Sequence, residues 1–251
     1  PAAFFQSLVE AKGRLARFLP MGRLGRHLSV NHRNHRKLVV VDGQVGFTGG
    51  MNVGDAYAGL SEPWQDAHVR VEGPAVPRLQ EIFCQDWWQT TDEDLATDNY
   101  FPATRSAGDE WVQFVASGPN DGRWHAIHMI LVSAISRATT RVWLETPYFV
   151  PDRALSLALE TAALRGVDVR MLLPGRSDHP LVLYAGRSFY GRLLAAGVKI
   201  YEVPKAFLHA KTATIDSSVA TVGSANLDQR SFSLNFEANA FFFGPTVAGA
   251  L

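Results

Sequence analysis

The sequence predicts an α/β fold of two similar halves, each with a mixed β-sheet flanked by helices, and two observations carry that reading. A chemical motif recurs at a fixed spacing. Short apolar strands also alternate with helices of about 10–15 residues, the pattern of layered α/β proteins. The repeat compares His35-Arg-Lys-Leu-Val-Val-Val-Asp-Gly-Gln-Val-Gly-Phe-Thr-Gly-Gly-Met-Asn52 with His209-Ala-Lys-Thr-Ala-Thr-Ile-Asp-Ser-Ser-Val-Ala-Thr-Val-Gly-Ser-Ala-Asn226. An offset of 174 (209 − 35) superposes the His, the Lys, Asp42 on Asp216, Val45 on Val219, Gly49 on Gly223 and Asn52 on Asn226. Internal repetition of this kind decides the architecture before any single element does.

The elements follow in chain order. Phe4–Ala11, Gly13 and Arg14–Leu19 read as a short copy of a later pattern, an amphipathic helix at Leu181–Ala196 closed by Gly197 and followed by a strand at Val198–Val203. Val39–Val41 and Ala213–Ile215 are apolar and β-branched, as buried strands are. On such strands a His and a Lys two residues apart point to one face. Gly73-Pro74-x-Val76 matches Gly244-Pro245-x-Val247 at an offset of 171, which also carries Asp66 onto Glu237. A helix containing Leu79, Phe83, Trp87 and Trp88 follows, its tryptophans covering the core of the first half. Thr90–Glu110, with Pro102 and Gly108, holds the linker. This divides the chain into a first half at 1–95, a linker at 96–110 and a second half at 111–251. The second half opens with a strand near Arg141–Tyr148, a helix from about Asp152 to Arg165 closed by Gly166, and a strand at Val167–Leu173. Subtracting 174 from 141 gives −33, so the first half is expected to be truncated at its start, and the second at its end, in a piece of a longer protein.

Composition excludes several classes. Hydrophobic content of 47% and charged content of 19% describe a folded globular chain. Lys plus Arg and Asp plus Glu number 24 each, which weighs against a sequence-independent nucleic-acid binder. One cysteine, Cys84, allows no internal disulfide. No apolar run reaches the ~18 residues of a membrane-spanning helix.

Paired histidines suit phosphodiester chemistry. One imidazole attacks phosphorus and forms a phosphohistidine; a second, protonated, gives its proton to the leaving oxygen and then takes one from the incoming water or alcohol. The catalytic candidates are His35, Lys37, Asp42, His209, Lys211 and Asp216. Lys37 and Lys211, with Asn52, Ser224 and Asn226, are candidates to hold the phosphate oxygens. Gly50 stands where the second copy has Ser224, so the copies are chemically unequal. Asp66 and Glu237 are candidates to orient the histidine of their own half. Asp42 and Asp216 end their strands, where a turn role competes with a catalytic one. The scheme calls for no cofactor and no metal.

These residues resemble the phospholipase D superfamily, and within it the bacterial cardiolipin synthases of the phospholipase D type. The resemblance rests on the paired H-x-K-x(4)-D motifs with their G-G-x-N and G-S-x-N tails, on Asn31–Asn52, on Trp64–Val76, on Thr146-Pro-Tyr-Phe-Val-Pro-Asp152 and on Gly223–Glu237. It implies two halves related by a pseudo-twofold axis with the active site between them. It implies transfer of a phosphatidyl group between two phosphatidylglycerol molecules with release of glycerol, at the surface of a bacterial cell membrane, with no nucleic-acid partner. It also implies His35 as the nucleophile. A phospholipase D-like hydrolase or nuclease is the alternative enzyme, and an inactive fragment of such an enzyme the alternative of another class.

Other features have weaker readings. Arg23, Arg26, His27, His32, Arg33 and Arg36 form a basic approach to His35 suited to steering anions. Tyr148 and Phe149 lie at the carboxyl end of a strand, where α/β sheets bind ligands. His125 and His128 stand three apart on a helix without a third metal ligand, and His68 and His179 read as structural or exposed.

Overall fold

The computed structural model describes residues 3–18, 32–58, 64–97, 99–119 and 125–251. Its main sheet belongs largely to the second half. The strand order is Arg33–Asn34, Asn235–Phe243, Val219–Gly223, Thr212–Ile215, Arg141–Glu145, Asp168–Pro174 and Lys199–Val203, with Trp111–Ser117 also paired to Asn235–Phe243. The helices Ala126–Arg137, Arg153–Leu164 and Tyr190–Ala196 bury Ile127, Leu131, Ile135, Leu155, Leu159 and Leu193 against Val142, Leu144, Val169 and Met171. That is the amphipathic pattern expected of helices packed on a sheet. Asp152 caps Arg153–Leu164 by accepting from Leu155 N at 2.9 Å, and Gly197 ends Tyr190–Ala196 with φ 99°.

The first half contributes a three-stranded antiparallel sheet, Leu38–Val41, Val45–Gly49 and His68–Glu72. It repeats the antiparallel pairing of Thr212–Ile215, Val219–Gly223 and Asn235–Phe243. The helix Val76–Thr91 covers it through Leu79 and Ile82, both fully buried. A second apolar core joins the halves, with Val71, Leu79 and Ile82 packed among Phe114, Ala220, Val222, Ala240 and Phe242. The linker folds back onto the first half, where Gln44 Nε2 donates to Ala103 O at 3.1 Å.

Three expectations change in detail. The helix expected at Leu181–Ala196 is two, Pro180–Arg187 and Tyr190–Ala196. At the break the Ser188 hydroxyl donates to Ala185 O at 2.6 Å, a local bond that competes with helix continuation. Near the amino terminus a short helix, Gln6–Glu10, is present, but 14–18 form no strand and Leu19 lies outside the described residues. Beyond Gly244 the chain does enter a helix, Pro245–Ala250, as Val76–Thr91 follows Gly73.

Candidate active site

The two motifs meet because each half lends a short strand to the other. Arg33–Asn34, just before His35, pairs in parallel with Asn235–Phe236, just before Glu237. Phe207–Leu208, just before His209, pairs in parallel with Trp64–Gln65, just before Asp66. The backbone extends both pairings by one bond: His35 N donates to Phe236 O at 2.9 Å and His209 N to Gln65 O at 2.7 Å. Each histidine is thereby delivered beside the carboxylate of the opposite half. His35 Nδ1 lies 2.9 Å from Glu237 Oε2, and His209 Nδ1 lies 2.7 Å from Asp66 Oδ2. The expectation that each acid serves its own histidine is therefore corrected to a crossed arrangement. An ionised carboxylate at Nδ1 fixes the proton there and leaves the Nε2 lone pair free.

The lysines occupy matching places. Lys37 Nζ donates to His35 O at 2.6 Å, and Lys211 Nζ donates to His209 O and lies 3.0 Å from His209 Nδ1. Neither H-x-K triplet is inside a ladder; each bridges two short strands, which turns both side chains into the interface. Burial lowers the Lys37 ammonium to about 8 and the Lys211 ammonium to about 7, although Asp66 and Glu237 both act to raise them. Lys37 in turn acts to lower Lys211, so the two cations feel one another and an arriving anion would relieve both.

The acids are held unequally. Glu237 is fully buried and accepts from Ser224 Oγ at 2.5 Å and from Asn235 Nδ2 at 3.1 Å. The Ser224 hydroxyl hydrogen is thus committed to the carboxylate, which corrects its assignment as a phosphate ligand. A Cβ on Gly50 would stand 2.0 Å from Asp66 Oδ1, so the first half has no room for a serine there. Gly50 with Asp66, and Ser224 with Glu237, are two solutions to one packing problem.

The remaining sequence candidates separate. Asn226 is buried, and its Oδ1 has no partner, while Asn52 is exposed and its Nδ2 reaches the Tyr57 hydroxyl at 3.5 Å. Asp42 and Asp216 stand at the far ends of their strands, in left-handed turns with φ 52° and 53°. Asp216 accepts from the backbone of Thr139, Thr140 and Arg141 at 2.8–3.2 Å and is held down to about 2 by those bonds, against burial. Both belong to turns rather than to the site, a correction to their catalytic assignment. Arg36 is a clamp and not a steering charge: it pairs with Asp86 at 2.6 Å and donates to Glu237 O and Ser117 O. Arg23, Arg26 and His27 of the same cluster lie outside the described residues. His128 Nε2 lies 3.2 Å from Asp152 Oδ1, and among the described residues no group of three metal ligands gathers there or elsewhere.

Sequence reasoning missed an aromatic wall around His209. Trp64 stacks on Phe207 with centroids 4.2 Å apart and lies 5.0 Å from the His209 ring. The Tyr57 hydroxyl is 2.9 Å from His209 Nδ1, and burial pushes that phenol up to about 12. His209 is 5% exposed, and desolvation lowers it despite the Asp66 carboxylate; the His35 side chain is 28% exposed. Trp64, two residues before Asp66 in a recurring block, was the available signal.

A family description, "Cardiolipin synthase, PLD-like domain", matches residues 131–251. Cardiolipin synthase 2 of Bacillus cereus is 44% identical over 96% of this chain and 48% of its own length, and the major cardiolipin synthase of Bacillus subtilis is 43% identical over 99% and 52%. The chain thus spans about half the length of the curated relatives it matches. Its fold is similar to that of phosphatidylserine synthase from Haemophilus influenzae, with a TM-score of 0.65 at 14% identity, covering 86% of this chain and 59% of that one. With two H-x-K motifs on a shared interface, the chain is similar along nearly its whole length to curated cardiolipin synthases, and its residues 131–251 match a PLD-like domain.

Proposed function

We propose that the chain transfers a phosphatidyl group from one phosphatidylglycerol to another, yielding cardiolipin and glycerol, at the surface of a bacterial membrane. The observation that carries this reading is the crossed pair of histidine–carboxylate contacts, His35 with Glu237 and His209 with Asp66. In the first step His35 Nε2 attacks phosphorus, the P–O bond to glycerol breaks, and His209 supplies the proton to the departing oxygen. In the second, a hydroxyl oxygen of the other phosphatidylglycerol attacks the phosphohistidine. The P–N bond breaks, and His209 takes the hydroxyl proton. Lys37, Lys211 and the Asn226 amide hold the non-bridging oxygens, with Asn52 at the rim.

Exposed apolar side chains favour a lipid partner. Val53 is 90% exposed beside Asn52, and Leu181 and Tyr184 are 86% and 65% exposed on the helix Pro180–Arg187. Among the described residues no helix is long and apolar enough to cross a membrane. Incubating the chain with phosphatidylglycerol vesicles and resolving cardiolipin, phosphatidic acid and free glycerol tests the reading. Cardiolipin with equimolar glycerol is expected. Phosphatidic acid alone would make the protein a hydrolase, and no turnover would remove the enzymatic reading of this chain.

A further inference from the structure

A polar cluster at the carboxyl ends of the strands Arg141–Glu145 and Asp168–Pro174 takes no part in the steps above. Thr146 Oγ1 accepts from Leu227 N at 3.3 Å and donates to Tyr148 O at 3.0 Å, tying the segment that carries Tyr148 to the one that carries Asn226. Phe149–Val150 then pairs in parallel with Leu227–Asp228. The Tyr148 phenol so placed feels the charges of Tyr57, which contacts His209, and of Asp228, which feels His35. Its hydroxyl donates to Asp178 Oδ1 at 2.6 Å. Asp178 is 39% exposed at its side chain, and His179, 65% exposed, brings Nε2 within 3.7 Å of Asp178 Oδ2.

This is hydroxyl-recognising chemistry. One carboxylate oxygen is fixed by the phenol, and the other keeps lone pairs open to solvent. The adjoining imidazole can donate or accept, and the phenol oxygen retains acceptor capacity. We infer that Tyr148, Asp178 and His179 form a subsite for a vicinal diol, the glycerol headgroup. The inference rests on the phosphatidyl-transfer reading and adds to it what the acceptor is recognised by. Because glycerol leaves in one step and a glycerol hydroxyl attacks in the other, a single subsite serves both. The headgroup would be held by its second hydroxyl while the reacting oxygen lies at phosphorus. A site built to bond a hydroxyl rejects an alcohol lacking it, here by about ten- to a hundredfold where the partner is charged.

The test is a competition between acceptors. The chain is given phosphatidyl-p-nitrophenol in mixed micelles with equimolar glycerol and 1-propanol, and the two phosphatidyl products are quantified. This ratio does not depend on how much protein is folded. The wild type is expected to favour the glycerol product by at least about tenfold, and Asp178→Asn and Tyr148→Phe to bring the ratio toward one. His179→Ala, at an exposed position, is expected to lower the ratio without a folding defect. A ratio unchanged in all three variants overturns the subsite, as does a wild type that transfers to both alcohols equally. A wild type that releases no nitrophenol overturns the phosphodiester reading itself, and the subsite with it.

Discussion

Gly50 and Lys211 show how single residues set this chemistry. The Cβ of any other residue at 50 would stand 2.0 Å from Asp66 Oδ1, so Gly50→Ser, which copies the second half, should displace the carboxylate that orients His209. Activity is expected to fall at least about tenfold while Asp66→Asn, which loses the charge in place, costs about 10²-fold or more. Measured turnover of a nitrophenyl phosphodiester within twofold of wild type in both variants would remove Asp66 from the mechanism. Lys211 makes a second prediction. In the folded chain it loses its proton near 7, and Lys37 near 8, whereas an unfolded lysine keeps its proton to about 10.5. Between about 7 and 10 the unfolded state binds more protons, so stability rises with pH across that window. Below about 7 both states are protonated, and the burial of two cations opposes folding at full strength. The urea midpoint is expected to increase from pH 6.5 to 9 in the wild type and to do so less in Lys211→Met. Activity runs the other way, since a neutral amine holds phosphate poorly; kcat/KM should decline above about pH 7, as first Lys211 and then Lys37 lose their protons. A flat midpoint in the wild type would show that the lysines stay charged.

At the scale of elements, two-residue strands determine which acid meets which histidine. Because Arg33–Asn34 lies on Asn235–Phe236 and Phe207–Leu208 on Trp64–Gln65, the pairs cross between halves. The histidine ring resonances followed by NMR should report this. Glu237→Gln is expected to displace the ring resonances of His35 and leave those of His209 nearly in place, and Asp66→Asn to do the reverse. The opposite pattern would restore the within-half assignment. The repeat made His35, Lys37, His209, Lys211, Asp66 and Glu237 legible in the sequence, along with the strand Thr212–Ile215, while the apolar run Val167–Leu173 marked Asp168–Pro174 without it. It did not make the crossing legible. An offset says which residues are equivalent, and equivalence is the same whether partners lie within a half or across it. Two-residue strands carry no periodicity to read, and their pairing depends on contacts more than 140 positions apart in the chain. Ser224 was misread for a related reason: a hydroxyl beside a phosphate site has the right chemistry, and only the 2.5 Å contact to Glu237 shows that it is already committed. The aromatic wall of Tyr57, Trp64 and Phe207 was hidden because its members come from separate segments of both halves.

For the molecule as a whole, the site exists only while the halves stay packed. Phe242 and Ala240 of the second half meet Val71, Leu79 and Ile82 of the first in one buried cluster, and Phe242 is 4% exposed. Phe242→Ala is expected to cost about 3–5 kcal/mol, read as a lower urea midpoint. Because both His–acid pairs cross the same interface, activity should be lost no later than the main unfolding transition. On the phosphatidyl-transfer reading, the outer surface must bring a lipid phosphate to this interface. Asn52, whose amide reaches Tyr57, adjoins Val53, and Asp178, which accepts from Tyr148, precedes Leu181 and Tyr184, so exposed apolar side chains lie beside both polar segments. Burying one leucine in a lipid interface stabilises docking by up to about 1.5–3 kcal/mol, worth roughly a tenfold to hundredfold change in affinity. Leu181→Glu and Val53→Glu are therefore expected to weaken binding to phosphatidylglycerol vesicles by at least about tenfold each, measured by vesicle sedimentation. The loss of turnover should be larger on vesicles than on a soluble nitrophenyl phosphodiester, since only the former requires docking. Equal losses on both substrates would mean that these side chains support the fold, and undiminished sedimentation would mean that the membrane is met by another face.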